Sequence, residues 1–251
     1  GLATCQLVRP EDGTKASERH PVAADFGAVA RRFARGGYKV CVARREAAKS
    51  QGLVDEMKAE GHEVHAISVD ARQEADVQAM FARIEKEIGP IEVCLYNAGS
   101  NVNKPLLETT EKLFFKAWEL ACYGGFLVGR EAAKYMLQRG HGTILFTGAT
   151  ASIRGREHFA AFAAAKSGLR TLAQSMAREL GKKNIHVAHV ICDGSIDGVF
   201  SRQNIPDLDQ RLAEDRVLKP DDIALNYVNL HHQKRSAWTH ELDLRPWSET
   251  W

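Results

Sequence analysis

The stretch that decides the fold is "IEVCLYNAG", residues 91–99. Apolar side chains dominate its first six positions, and Asn97 and Gly99 end the run. A short continuous apolar run that ends in turn residues is typical of a β-strand buried on both faces. Strands of this kind occur in parallel sheets that helices cover on both sides. The stretch therefore predicts a central strand of an α/β fold.

Similar runs lie on both sides of this strand. Stretches rich in Val or Ile predict further strands at 38–44, 63–70, 142–149 and 185–194. Amphipathic stretches between them predict helices at 26–37, 74–89, 111–140 and 159–181, with a close-packing point at Gly124 and Gly125. Strands that alternate with helices indicate a doubly wound parallel sheet with helices on both faces. We expect a single Rossmann-like α/β domain over residues 1–251.

The two ends of the chain depart from this pattern. Residues 1–25 contain a candidate opening strand at 2–8, followed by a polar loop with one glycine where a nucleotide-binding fold normally has a tight turn. Residues 197–251 contain Pro206, Pro220 and Pro246 and show weak periodicity. A helix is expected to begin at Pro220, because proline suits the first turn of a helix. A final strand and an aromatic tail are expected after it.

The composition excludes several classes of function. The 251 residues carry 34 basic and 32 acidic side chains, and a formal charge of +2 is too small for a typical nucleic-acid-binding protein. The five cysteines are widely spaced, which fits neither a metal site nor a disulfide framework. No apolar run reaches the ~20 residues that span a bilayer, and no signal peptide is evident. We therefore expect a cytoplasmic protein without a nucleic-acid, membrane or metal partner.

Several motifs, taken in order along the chain, resemble those of the short-chain dehydrogenase/reductase family. Asn97, Ala98 and Gly99 resemble the Asn-Ala-Gly that lines the cofactor cleft after the fourth strand. Asp70, at the end of the third predicted strand, resembles the acidic residue that contacts the adenine ring. The resemblance extends from Phe26 to the C-terminus. It implies a nicotinamide cofactor and hydride transfer between that cofactor and a carbonyl or alcohol.

Two further motifs carry the resemblance into the second half of the chain. Phe162 and Lys166 stand where the family has Tyr-x-x-x-Lys. The turn "DGSID", residues 193–197, stands where the family has the Pro-Gly that closes on the nicotinamide, with an aspartate in place of the proline. The resemblance therefore implies that Gly194 and Ile196 contact the cofactor.

The same resemblance implies an altered catalytic site. Family members use a tyrosine as the acid or base, a lysine that lowers its pKa, a serine that polarises the carbonyl and an asparagine that holds a water. Phe162, Ala149 and Ala121 stand at the tyrosine, serine and asparagine positions. Lys166 remains, and the family role it implies is a hydrogen bond to the nicotinamide ribose. Thr150 is the neighbouring hydroxyl proposed to replace the serine, with Thr147 and Ser152 as alternatives.

The expected phosphate turn is altered as well. The family has a glycine-rich turn before the first helix, and only Gly27 remains of those glycines. Lys15, Arg19 or His20 in the replacement loop could contact a phosphate. Arg44 and Arg45 follow the second strand, where family members that prefer NADP(H) place basic groups. If a nicotinamide nucleotide binds, NADP(H) is therefore expected rather than NAD(H).

Two functional hypotheses remain open. The first is an NADP(H)-linked oxidoreductase with weak or rewired activity, for example reduction of an activated C=C bond. The second is a non-catalytic family member that retains the fold for binding or for assembly. The helices near residues 111–139 and 159–180 are the faces through which the family forms oligomers, so a homodimer or homotetramer is expected under either hypothesis.

Overall fold

The computed structural model describes residues 4–8 and 27–250. The expectations for Lys15, Arg19 and His20 lie outside the described residues. The strands are β1 (Thr4–Val8), β2 (Lys39–Arg44), β3 (Val64–Ser68), β4 (Ile91–Tyr96), β5 (Gly142–Ala149), β6 (Ile185–Cys192) and β7 (Glu241–Leu244). They form one sheet in the order β3-β2-β1-β4-β5-β6-β7. Each strand predicted from an apolar run is present, although β3 ends at Ser68 and so leaves Asp70 in the turn that follows.

The direction of β1 is a correction to the expected parallel sheet. Strands β2 to β7 share one direction, whereas β1 runs antiparallel to both of its neighbours, β2 and β4. Its last residue, Val8, lies opposite Lys39 and Ile91, at the amino ends of those neighbours. The chain therefore leaves β1 at the edge of the sheet where β2 and β4 begin. A short phosphate-binding turn between a strand and a helix begins at the opposite edge, where β2 and β4 end.

The length of the connection between β1 and the first helix explains why β1 can run antiparallel to its neighbours. A short glycine-rich turn holds a strand parallel to its neighbours, because the next helix must start at the carboxyl end of that strand. Residues 9–26 separate β1 from the first helix, and extended chain reaches roughly 3.3 Å or more per residue. That length can cross the sheet, and an antiparallel strand satisfies its backbone hydrogen bonds as well as a parallel one.

Helices cover both faces of the sheet, as predicted. They are α1 (Gly27–Arg35), α2 (Gln51–Ala59), α3 (Glu74–Glu87), α4 (Glu111–Trp118), α5 (Gly124–Arg139), α6 (Ala160–Leu180), α7 (Val199–Asn204), α8 (Leu208–Ala213) and α9 (Pro220–His232). Buried side chains of α3, α5 and α6 form the core on one face, and those of α1, α2 and α9 form the core on the other. The doubly wound α/β fold is confirmed.

The long helix predicted at 111–140 contains an irregular turn. A π-helical turn, Glu119–Tyr123, joins α4 to α5. The hydroxyl of Tyr96 donates a hydrogen bond to the carbonyl oxygen of Leu120 inside this turn. A Cβ atom on Gly124 would collide with that hydroxyl, and one on Gly125 would lie 2.5 Å from Leu169. The predicted close-packing point is therefore confirmed, and it fixes α5 against β4 and α6.

Over residues 4–8 and 27–250, none of the helices has the length and apolar character needed to cross a membrane.

Candidate functional site

A pocket of about 820 Å³ opens at the carboxyl ends of β4, β5 and β6. This is the edge at which doubly wound sheets bind their ligands. The strand ends contribute Asn97, Gly99, residues 147–149 and Cys192 to its wall. Helix α6 contributes Phe162 and Lys166, and the segment that includes α7 closes the opposite side. The sheet therefore brings together the motifs that sequence analysis placed at strand ends.

Lys166 is a buried cation at the centre of this wall. Its side chain is only 5% exposed, and Nζ donates a hydrogen bond to the carbonyl oxygen of Thr147 over 2.7 Å. A Cβ atom on Gly99 would lie 3.3 Å from that Nζ, so any larger residue here would crowd the lysine. Burial lowers the pKa of Lys166 to about 8, because the charged form loses its hydration. The ammonium form still predominates at pH 7.

The positions that should carry proton-transfer groups are apolar. Phe162 lines the pocket one helical turn before Lys166, and its ring lies 6.5 Å from that of Phe159. Ala149 lines the pocket at the end of β5, and Ala121 is fully buried in the π-helical turn. None of these side chains can donate or accept a hydrogen bond.

The neighbouring hydroxyls are already engaged within the protein. Thr150 lines the pocket, but its hydroxyl donates to a carboxylate oxygen of Asp193 over 2.5 Å. The Thr147 hydroxyl pairs with the Tyr227 hydroxyl over 2.7 Å. Ser152 Oγ accepts a hydrogen bond from the backbone N–H of Ala149 over 3.1 Å. The proposed replacement of the serine by Thr150 would therefore require its bond to Asp193 to break.

Asp193 is a fully buried carboxylate beneath the pocket. Both of its oxygens lie 3.2 Å from the Arg154 guanidinium, and one lies 3.4 Å from that of Arg245. The left-handed backbone of Gly194 lets Pro246 approach within 2.9 Å of where a Cβ would be. Sequence analysis noted only that an aspartate replaces a proline here. The structure shows that this aspartate ties the β5 and β6 ends to the C-terminal segment.

The residues expected to hold a cofactor fall into two groups. Asn97, Gly99, Gly194 and Ile196 line the pocket together with Lys166, and Ala98 is buried beside them without forming part of the wall.

The second group does not reach the pocket. A Cβ on Gly27 would lie 3.1 Å from Arg31 of α1 and 3.3 Å from Leu53 of α2. This glycine therefore contacts neighbouring helix side chains and not the pocket. Arg44 donates to the carbonyl oxygen of Lys49 over 3.2 Å, and Arg45 is exposed.

Asp70, the expected adenine contact, is held by a neighbour. The Arg72 guanidinium donates to its two carboxylate oxygens over 2.8 and 2.5 Å. These hydrogen bonds lower the pKa of Asp70 from its ordinary value. The carboxylate is half-buried and stays ionised, and a ligand that used it would compete with Arg72.

A buried histidine under the site was missed by sequence analysis. His189 of β6 is fully buried, and a Cβ on Gly148 would collide with its ring. Its Nδ1 lies 3.2 Å from a carboxylate oxygen of Glu241, which also binds Arg170 over 2.7 and 2.6 Å. Burial lowers the pKa of His189 to about 4, so the ring is neutral at pH 7. A single histidine in an apolar strand carries no sequence signal for such a network.

A doubly wound sheet with a pocket at its carboxyl edge is the architecture of the Rossmann-like class of α/β proteins. The family model described as short chain dehydrogenase matches residues 27–207. The chain therefore belongs to the short-chain dehydrogenase/reductase family of oxidoreductases.

Individual relatives agree with this assignment. The chain is 31% identical over 187 residues to the 3-oxoacyl-[acyl-carrier-protein] reductase MabA of Mycobacterium tuberculosis, which covers 74% of this chain and 69% of MabA. It is 44% identical to a short-chain dehydrogenase from Rhodopseudomonas palustris whose crystal structure superposes with a TM-score of 0.76 over 89% of this chain and 94% of that one. A 7α-hydroxysteroid dehydrogenase was solved with NADH and 7-oxo glycochenodeoxycholic acid. It is 25% identical to this chain, and the two superpose with a TM-score of 0.79 over 88% of this chain and 89% of that one.

Proposed function

We propose that this chain is an NADP(H)-linked oxidoreductase that works without a tyrosine-type proton donor, so that its turnover is weak or restricted to substrates protonated by water. The observation that carries the proposal is the buried Lys166 ammonium, held against Gly99 and the Thr147 carbonyl in the pocket wall. Burying a cation is costly unless the charge is paired and hydrogen-bonded. An ammonium at this place can donate hydrogen bonds to a bound ribose.

The residues present fit one half of a dinucleotide. At the nicotinamide end, Gly99, Gly194 and Lys166 line one continuous pocket. A bound NADP(H) would supply or accept the hydride there. At the diphosphate end, β1 leaves the sheet at the opposite edge, and Gly27 faces Arg31 and Leu53 rather than an open cradle. We infer that the nucleotide is held mainly through its nicotinamide half. The exposed Arg45 after β2 favours the 2′-phosphorylated form.

The side chains at positions 149, 150 and 162 limit the reaction. The side chains of Phe162 and Ala149 in the pocket wall carry no polar atom. The Thr150 hydroxyl donates its proton in a hydrogen bond to Asp193. Carbonyl reduction needs a proton on oxygen, and losing a positioned acid costs about 10²–10⁴-fold in rate. Reduction of an activated C=C bond transfers the hydride to carbon, so water can supply the proton. We propose that reaction type for this site.

A non-catalytic role is the second candidate. The observation that favours it is the Asp193 network, in which Thr150, Arg154 and Arg245 all contact the Asp193 carboxylate rather than a ligand. Under this hypothesis the fold serves binding or assembly.

Under both hypotheses we propose a homodimer or homotetramer. The contact would be an aromatic surface on α4 and α5, formed by Phe115, Trp118, Tyr123 and Phe126, whose successive ring centroids lie 6.1, 6.1 and 6.3 Å apart.

Nucleotide binding separates the two functional candidates. Fluorescence titration at pH 7 should show NADPH binding more tightly than NADH. Binding should weaken above about pH 8, because Lys166 then loses its charge. The Lys166→Met variant should lose binding, whereas Lys112→Met, at an exposed site on α4, should retain it. If neither nucleotide binds at millimolar concentration, the oxidoreductase proposal is wrong and the non-catalytic role stands.

A further inference from the structure

The charge of the pocket wall is unbalanced. Its charged residues are Arg154, Arg156, Lys166 and a single carboxylate, Glu249. Arg154 is already neutralised, because its guanidinium lies 3.2 Å from Asp193 and 3.7 Å from Glu249. Within residues 27–250, the Arg156 side chain makes no hydrogen bond or ion pair. Arg156 and Lys166 are therefore two positive charges that no carboxylate of the described chain offsets.

Arg156 lies next to the apolar part of the wall. It belongs to the loop between β5 and α6, and its carbonyl oxygen accepts a hydrogen bond from the N–H of Phe159 over 3.1 Å. Phe159 and Phe162 line the same pocket. Helix α7 adds Val199 and Phe200, which are 64% and 65% exposed. Exposed apolar side chains in a concave wall gain free energy when the hydrocarbon part of a ligand covers them.

We propose that Arg156 determines substrate specificity by binding the acid group of an apolar carboxylate, such as an aryl or alkyl oxo acid or an unsaturated acid. Its guanidinium can bind both carboxylate oxygens at once, which gives affinity and fixes orientation. The hydrocarbon part of this substrate lies against Phe159, Phe162 and Phe200. Lys166 stays with the nucleotide. The proposal names the substrate class of the site described above and rests on the function proposed there.

The experiment compares an acid with its uncharged analogue of the same shape. Calorimetry measures the binding of 3-phenylpropanoate and 3-phenylpropanamide to the full chain, without nucleotide and with saturating NADPH. The acid should bind about two- to fivefold more tightly than the amide, since Arg156 is exposed and solvent weakens an ion pair there. Arg156→Gln should remove this preference, and Arg156→Lys should keep part of it. Arg178→Gln, at an α6 arginine outside the pocket, should leave it unchanged.

Other outcomes overturn the proposal. Equal binding of acid and amide to the unmodified chain, or a preference that persists in Arg156→Gln, rejects Arg156 as the acid-binding residue. A preference that is lost in Lys166→Met but kept in Arg156→Gln places the acid on the lysine and rejects it as well. Failure of the proposed function has a different signature, because NADPH then fails to bind while the acid preference and its dependence on Arg156 remain.

Discussion

At the scale of single residues, the pocket places a phenylalanine one helical turn before a buried lysine. Phe162 and Lys166 lie one turn apart on α6, and both line the pocket. A phenol at position 162 would therefore meet an ammonium, which lowers a phenol pKa from its ordinary value near ~10. A hydroxyl at position 149 would project from the end of β5 into the same pocket.

Restoring both groups should therefore restore carbonyl reduction. The Phe162→Tyr, Ala149→Ser variant should reduce a carbonyl substrate with NADPH about 10²-fold faster than the unmodified chain, or more, because it regains a positioned acid. Phe159→Tyr is the matched control, since this ring also lines the pocket but is not one turn from Lys166. Equal rates for the control and the double variant would contradict the role given to position 162. No gain in a double variant that binds NADPH would also contradict it.

At the scale of secondary-structure elements, a buried polar brace connects α6, β6 and β7. Arg170 on α6 binds Glu241 on β7, and Glu241 binds His189 on β6. Lys166 lies one turn before Arg170, so this brace fixes the part of α6 that presents the lysine. His189 stays neutral in the folded chain at pH 7, because burial opposes its protonation more strongly than Glu241 favours it.

The brace should therefore make the fold sensitive to acid. An unfolded histidine titrates near 6.5, and His189 in the folded chain titrates at about 4. Between these values the unfolded chain binds more protons, so the free energy of unfolding falls as the pH drops from 6.5 to 4, by about 3 kcal/mol. Urea unfolding across this range should show that loss in the unmodified chain and not in His189→Gln. His141→Gln, at an exposed histidine, should behave like the unmodified chain; the same pH dependence in His189→Gln would refute the assignment.

The elements themselves were largely predictable, and the exceptions have physical causes. The strand at Gly142–Ala149 was predicted to the residue because turn residues bound its apolar run. Helix α2 was not predicted, since its nine residues include Gly52 and give a weak pattern. The direction of β1 could not be predicted, because its five residues pair equally well in either direction and the connection decides.

The site was predictable only where the chain order itself places residues. Lys166 and Ala149 could be placed because the family resemblance gives both positions a fixed spacing from Phe162. The Asp193 cluster could not, since its members come from residues 154, 193 and 245 and meet only in the folded chain.

At the scale of the whole molecule, the aromatic surface on α4 and α5 is exposed at both of its ends, Phe115 and Phe126. Phe115 is 54% exposed, and Arg130 lies 5.0 Å over the ring of Phe126 at the other end. Trp118 and Tyr123, between these two rings, are half-buried. Exposed aromatic side chains grouped in this way are typical of a protein interface rather than of a solvated surface. It lies on the helices that pack against β4 and α6, so a second copy bound there would brace the elements that carry the site.

A charge placed in this surface should separate the copies. Phe115→Glu would bury an unpaired carboxylate in the contact, which costs several times the thermal energy and should raise the dissociation constant at least tenfold. Light scattering coupled to size exclusion should therefore show a dimer or tetramer for the unmodified chain and a smaller species for Phe115→Glu. Leu225→Glu is the matched control, because Leu225 is an exposed apolar residue, 39% exposed, on the opposite face in α9. If Leu225→Glu dissociates the assembly and Phe115→Glu does not, the contact lies on the α9 face and the aromatic surface must serve another partner.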